Sequence, residues 1–114
     1  MAKRSIEDTR RFRRRTVRIL VDYVSDQGVH CDYATTLGAG GLFLESDLPL
    51  SRGSVVKMRF RLPESDRLHE IEGRVAWLHS QRQGEGGVQA PGMGIQFTDA
   101  TAASQLAREL EDLP

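Results

Sequence analysis

Apolar residues recur at every second position in short runs, and each run is closed by turn-forming residues. The clearest run sets Val56, Met58, Phe60 and Leu62 on one side and Val55, Lys57, Arg59 and Arg61 on the other. A period of two is the mark of a strand with one buried face. Val17, Ile19, Val21 and Tyr23 alternate in the same way with Arg18, Leu20, Asp22 and Val24, and Ile71, Gly73, Val75 and Trp77 with Glu72, Arg74 and Ala76. Three further strands are expected from about Val29 to Thr35, over Leu42 to Glu45, and across Met93, Ile95 and Phe97. Opposite charges would meet across the fourth and fifth strands if Glu70 and Glu72 face Arg59 and Arg61.

The punctuation fits this reading. Ser25-Asp26-Gln27-Gly28 is turn chemistry in which Gly28 can take a positive φ. Gly38-Ala39-Gly40-Gly41 interrupts the second and third strands, Pro49 and Gly53 mark a bend, and Pro63-Glu64-Ser65-Asp66 turns the chain. Residues 81–91 read as a Gly-rich polar loop. From Asp99 the period changes: Leu106, Leu110 and Leu113 are spaced for one face of a helix over about 99–113, with Thr98 or Asp99 as its cap. The chain of 114 residues holds a single domain. Six antiparallel strands with one terminal helix are best closed into a barrel, which leaves no sheet edge exposed.

Charge is balanced overall, sixteen Lys and Arg against sixteen Asp and Glu, but not along the chain. Lys3, Arg4, Arg10, Arg11, Arg13, Arg14, Arg15 and Arg18 stand among the first eighteen residues, opposed only by Glu7 and Asp8. A run such as Arg10-Arg11-Phe12-Arg13-Arg14-Arg15 repels itself. Residues 1–14 are therefore expected to form a flexible basic arm ahead of a folded domain over 15–114, and such an arm attracts polyanions.

Several function classes are excluded. One cysteine, Cys31, allows neither an internal disulfide nor a four-cysteine zinc site. His30, His69 and His79 have no metal-ligand spacing, and His30 and Cys31, adjacent on a strand, point to opposite faces. No nucleophile–base set can be assembled, so no enzyme is expected. Gly38-Ala39-Gly40-Gly41 lacks the spacing of a dinucleotide loop and precedes a strand, not a helix. No apolar run approaches the roughly 18 residues of a membrane span, and the basic N-terminus is followed by no apolar stretch. A cytoplasmic domain without membrane insertion is expected.

Three stretches together resemble the PilZ domain family. The first is Arg10-Arg11-Phe12-Arg13-Arg14, which contains an Arg-x-x-x-Arg spacing directly before the first strand. The second is Thr36-Leu37-Gly38-Ala39-Gly40-Gly41 followed by Leu42-Phe43-Leu44, in the place of the family's Asp/Asn-x-Ser-x-x-Gly. The third is the strand framework Leu50 to Val56, Ile71 to Trp77 and Gly92 to Phe97. The resemblance implies a six-stranded antiparallel β-barrel with a C-terminal α-helix and a site for the bacterial second messenger cyclic di-GMP. It assigns ligand contacts to Arg10 and Arg14, with Arg11 and Arg15 at the same spacing, and to Thr36, Gly38 and Gly41. A guanidinium is a permanently charged planar fork suited to phosphate oxygens or a guanine edge.

The second stretch departs from the family pattern. Thr36 stands where the family has Asp or Asn, and Gly38 where it has Ser. Two unmade ligand hydrogen bonds, at roughly 1–3 kcal/mol each, correspond to about 10- to 10⁴-fold in affinity. The Thr36 hydroxyl and a backbone anion nest along Gly38 to Gly41 are the available compensation. The resemblance thus implies a signalling domain that binds cyclic di-GMP weakly and relays it to an unidentified protein partner by reordering its arginine arm. The alternatives are a degenerate adaptor that binds a protein partner without nucleotide, and a nucleic-acid binder acting through the arm. No cofactor beyond that ligand is implied.

Overall fold

The computed structural model describes residues 14–79 and 90–112. Six strands follow one another: β1 (Arg14–Ser25), β2 (Gly28–Gly38), β3 (Gly41–Glu45), β4 (Val55–Phe60), β5 (His69–His79) and β6 (Gly92–Phe97). One helix, α1 (Ala100–Glu111), comes last. All paired strands are antiparallel, and the order β1-β2-β3-β6-β5-β4 closes into a barrel. The expected six-stranded barrel with a terminal helix is the observed architecture.

Alternation in the sequence becomes inside and outside in the barrel. Val56, Met58 and Phe60 are buried while Val55, Lys57 and Arg59 are exposed, and Ile19, Val21 and Tyr23 are buried while Arg18, Leu20 and Asp22 are exposed. The interior is filled by these side chains with Leu37, Leu44, Ile71, Val75, Met93 and Ile95, as in any barrel of so few strands. At α1 the Asp99 carboxylate accepts a hydrogen bond from Ala102 N at 3.1 Å, satisfying one of the free N–H groups of the first turn. Leu106 and Leu110 are buried, each removal from water contributing about 1.5–3 kcal/mol. Leu113 lies outside the described residues.

The strands are longer than the alternation alone implies. β1 begins at Arg14 because β2 continues through Thr36 and Leu37 to Gly38 and pairs with it. The break between β2 and β3 shrinks to Ala39 and Gly40. Gly28 takes the positive φ its turn requires, at 122°. Of the expected cross-strand ion pairs, Arg59 meets Glu70 at 3.4 Å, but Glu72 stands opposite Lys57. Arg61 falls beyond the end of β4, where its Nε donates to Asp66 O at 3.4 Å. Arg10, Arg11 and the rest of the arm before Arg14 lie outside the described residues, as does most of the Gly-rich loop. No helix among the described residues is long and apolar enough to cross a membrane.

Candidate functional site

Strand pairing assembles most of the residues that the sequence singles out. Arg14 stands opposite Gly38, Arg15 opposite Leu37 and Thr16 opposite Thr36. The end of the basic run is thus held beside the Gly-rich break by a backbone ladder. A cleft of about 360 Å³ opens there, lined by Gly38, Gly40 and Gly41 on one side and by Ala76, Trp77 and Gln96 on the other. Arg14, Arg15, Thr36, Gly38 and Gly41 are therefore gathered in one region. Arg10 and Arg11, outside the described residues, are not placed.

The chemistry of that region is mostly backbone. Gly38 offers no side chain. Thr36 Oγ1 is buried and has no hydrogen-bond partner among the described residues, so an unmade hydrogen bond is built into the site. Among the described glycines only Gly28 and Gly53 have positive φ, so Gly38 to Gly41 hold no left-handed glycine of the kind that shapes an αR–αL anion nest. Gly40 O is already taken by Phe97 N at 2.9 Å. Gly41 is required by barrel packing, since a Cβ there would overlap the carbonyl oxygen of Ile95 on β6.

Trp77, expected at the core or the barrel rim, forms a wall of the cleft. The β5–β6 register shifts between Val75 and Trp77, and a bulge of this kind re-aims the side chains that follow it. The indole stacks on Phe43 at 5.3 Å between ring centroids and lies against Gly94, where any Cβ would collide with it. It remains 37 % exposed. Alternation in the sequence hides this placement. The available signal was the Gly92-Met93-Gly94 pattern, in which small residues make room for an aromatic partner. Ala76 and Gln96 carry no such signal in the sequence, since both are ordinary outward-facing positions in their strands.

A second cluster joins residues far apart in sequence. Ser65 Oγ donates to Glu109 Oε2 at 2.5 Å, and His69 Nε2 lies 2.5 Å from Glu109 Oε1. These hydrogen bonds, from Ser65 first and His69 second, hold the Glu109 carboxyl below its ordinary pKa. The sequence alone gave no nucleophile–base set, yet here serine, carboxylate and imidazole meet. The carboxylate occupies the middle position and is bonded on both oxygens, so the cluster fastens α1 to the start of β5. Cys31 is exposed. A hydrogen bond with Asp22, then some desolvation and the nearby Asp22 and Asp32 charges, raise its thiol pKa.

Comparison with known proteins agrees with this geometry. A family profile described as PilZ domain matches residues 8–113. No curated protein sequence matches the chain. Among solved structures, the fold is similar to the Bacillus subtilis inhibitor of motility MotI/DgrA, with a TM-score of 0.67, 18% identity and 90% of this chain covered. The chain spans about half of that protein, 51% of its length. It is similar to the PilZ domain of CeSA from a cellulose-synthesizing bacterium, with a TM-score of 0.58 and 21% identity over 86% of this chain and 97% of the other. It is also similar to the PilZ domain of YcgR from Escherichia coli, solved with c-di-GMP, with a TM-score of 0.69 and 15% identity over 90% and 89% of the two chains. With its closed six-stranded barrel, its terminal helix and a profile match over nearly its whole length, the chain belongs to the PilZ domain family.

Proposed function

We propose that this PilZ domain is a cytoplasmic receptor for cyclic di-GMP that works as an adaptor toward a protein partner. The observation that carries this reading is the pairing of Arg14 with Gly38 beside an open cleft. It puts the root of an arginine-rich segment next to a surface where backbone can approach a doubly charged ligand with planar bases. Arg10 and Arg14 clamp the phosphates or guanine edges, with Arg11 and Arg15 in reserve at the same spacing, while Thr36, Gly38 and Gly41 form the floor. The YcgR domain that shares this fold was solved with c-di-GMP, which supports the ligand class. Closing the segment ahead of β1 over the ligand, with Arg14 as its fixed root, changes the surface offered to the partner, a switch driven by charge pairing. Affinity is lowered because the floor contributes little side-chain hydrogen bonding.

Isothermal calorimetry of the whole chain with cyclic di-GMP tests this. Saturable binding that is lost in Arg14→Ala and reduced in Arg10→Ala is expected. Binding of unchanged affinity in both variants overturns the clamp. The buried, unpartnered Thr36 hydroxyl and the bare Gly38 favour a second reading, an adaptor that engages its partner without nucleotide. A flat titration selects that reading.

A further inference from the structure

β1 and β4 close the barrel by a short seam. Their pairing covers Asp22, Tyr23 and Val24 against Arg59, Met58 and Lys57, although β1 begins at Arg14 and β4 ends at Phe60. Beyond Asp22 and Arg59 the strands part. Among the described residues, no strand pairs with the β4-facing edge of β1 from Arg14 to Val21. A groove of about 510 Å³ opens at this point. Ile19 and Phe60 line its depth, Leu20 is exposed at its side, and Arg18, Arg59 and Arg61 border it.

Three features coincide in that groove. The first is an open strand edge, a row of N–H and C=O groups that templates another strand. The second is charge: three guanidiniums face one carboxylate, Asp22. The Arg59–Glu70 pair is solvent-exposed on both sides, and such pairs are weak and readily exchanged. Arg18 is held on the outer face by its stacking at 4.2 Å over the Tyr33 ring. The third is apolar lining on the inner side. Residues 1–13 of this chain carry five basic residues against Glu7 and Asp8, so charge makes them a poor occupant.

We infer that this groove docks an extended acidic segment of a partner protein, added as a strand to the free edge of β1. Side chains of a strand alternate between two faces. A segment of alternating acidic and apolar residues therefore sets its carboxylates toward Arg18, Arg59 and Arg61 and its apolar side chains toward Ile19 and Phe60. Main-chain hydrogen bonds supply affinity and the arginines supply selection. The groove is separate from the cleft at Gly38 and Trp77, and the inference holds whether or not a nucleotide binds there.

The test uses a fluorescein-labelled Glu-Val-Glu-Val-Glu peptide, the full chain, and fluorescence anisotropy with and without cyclic di-GMP. Binding that weakens about tenfold or more in the Arg59→Glu/Arg61→Glu variant is expected, together with amide shifts at residues 18–21 by NMR. A peptide N-methylated at alternate residues keeps its charge but cannot pair with β1, and its binding is expected to be lost. Equal binding of the N-methylated peptide, or no binding of either, overturns the inference. So does sedimentation showing a dimer of this chain that the double variant dissociates, which makes a second copy the occupant. Displacement of the peptide by cyclic di-GMP with direct loss of nucleotide binding in the double variant also overturns it.

Discussion

His69 Nε2 and Glu109 Oε1 stand 2.5 Å apart across forty residues of sequence, and His69 is only 4 % exposed. Ser65 holds the other carboxylate oxygen, from a turn closed by Ser65 N donating to Leu62 O at 3.1 Å. The barrel and its helix are thus joined by one carboxylate. Because Glu109 is held below its ordinary value of 4.5, its contribution to stability is present above that value and lost as pH falls through the lower, folded-state pKa. Urea midpoints measured from neutral pH downward are expected to fall below about pH 4.5 more steeply in the native chain than in Glu109→Gln. At neutral pH, Glu109→Gln is expected to cost up to about 1.5–3 kcal/mol, the range for a hydrogen bond to a charged group. An unchanged midpoint at neutral pH contradicts the role assigned to this carboxylate.

Gly94→Ala drives a methyl group into the Trp77 indole. The ring must leave its stack on Phe43, at a cost of about 1–3 kcal/mol for overpacking. Trp77 is the single tryptophan, so its emission reports the change directly and is expected to shift to longer wavelength. In the native chain the same emission is expected to change on addition of cyclic di-GMP, because the indole lines the cleft. A ligand that binds by calorimetry yet leaves Trp77 emission untouched sits elsewhere.

Cys31 is exposed but surrounded by carboxylates that keep its proton on. The thiolate is the reactive form, so alkylation by iodoacetamide at neutral pH is expected to be slower than for a free thiol peptide. Asp22→Asn removes the hydrogen-bonded carboxylate and is expected to raise the rate. Equal rates in the two proteins refute this assignment.

Thr36→Val replaces an unpartnered hydroxyl by a methyl of nearly the same shape. Since the hydroxyl makes no hydrogen bond among the described residues, stability is expected to stay level or rise by about 1 kcal/mol. Loss of nucleotide affinity in this variant, with the fold intact by circular dichroism, would show the hydroxyl reaching the ligand. A drop of more than about 2 kcal/mol in stability would mean that the hydroxyl has a partner in the folded chain.

What was legible in the sequence was whatever repeats with a period. Val56, Met58 and Phe60 declare their face by spacing alone, and so does the Leu106–Leu110 stripe behind its Asp99 cap. Departures from period were not legible. The register shifts between Thr16 and Ile19 and between Val75 and Trp77 depend on which strands become neighbours, and that is decided by closure of the barrel. The Ser65–Glu109–His69 cluster was hidden for the same reason, since it exists only once α1 folds back on β5. In the candidate site, residue type showed the exchanged side chain at Thr36 and the missing one at Gly38. Only the ladder between β1 and β2 showed that Arg14 lies beside them, and only the β3–β6 crossing gave Gly41 its packing duty.

The pairing of Arg14 with Gly38 also acts as a mooring. Arg10 is joined to that fixed point by four residues, which reach at most about 14 Å when fully extended. In the proposed clamp, a tether this short corresponds to a local concentration of the Arg10 guanidinium at the cleft in the millimolar range or above. In that proposal leash length becomes a tunable quantity apart from charge: glycines inserted between Arg10 and Arg14 are expected to dilute the proposed grip while leaving every arginine in place.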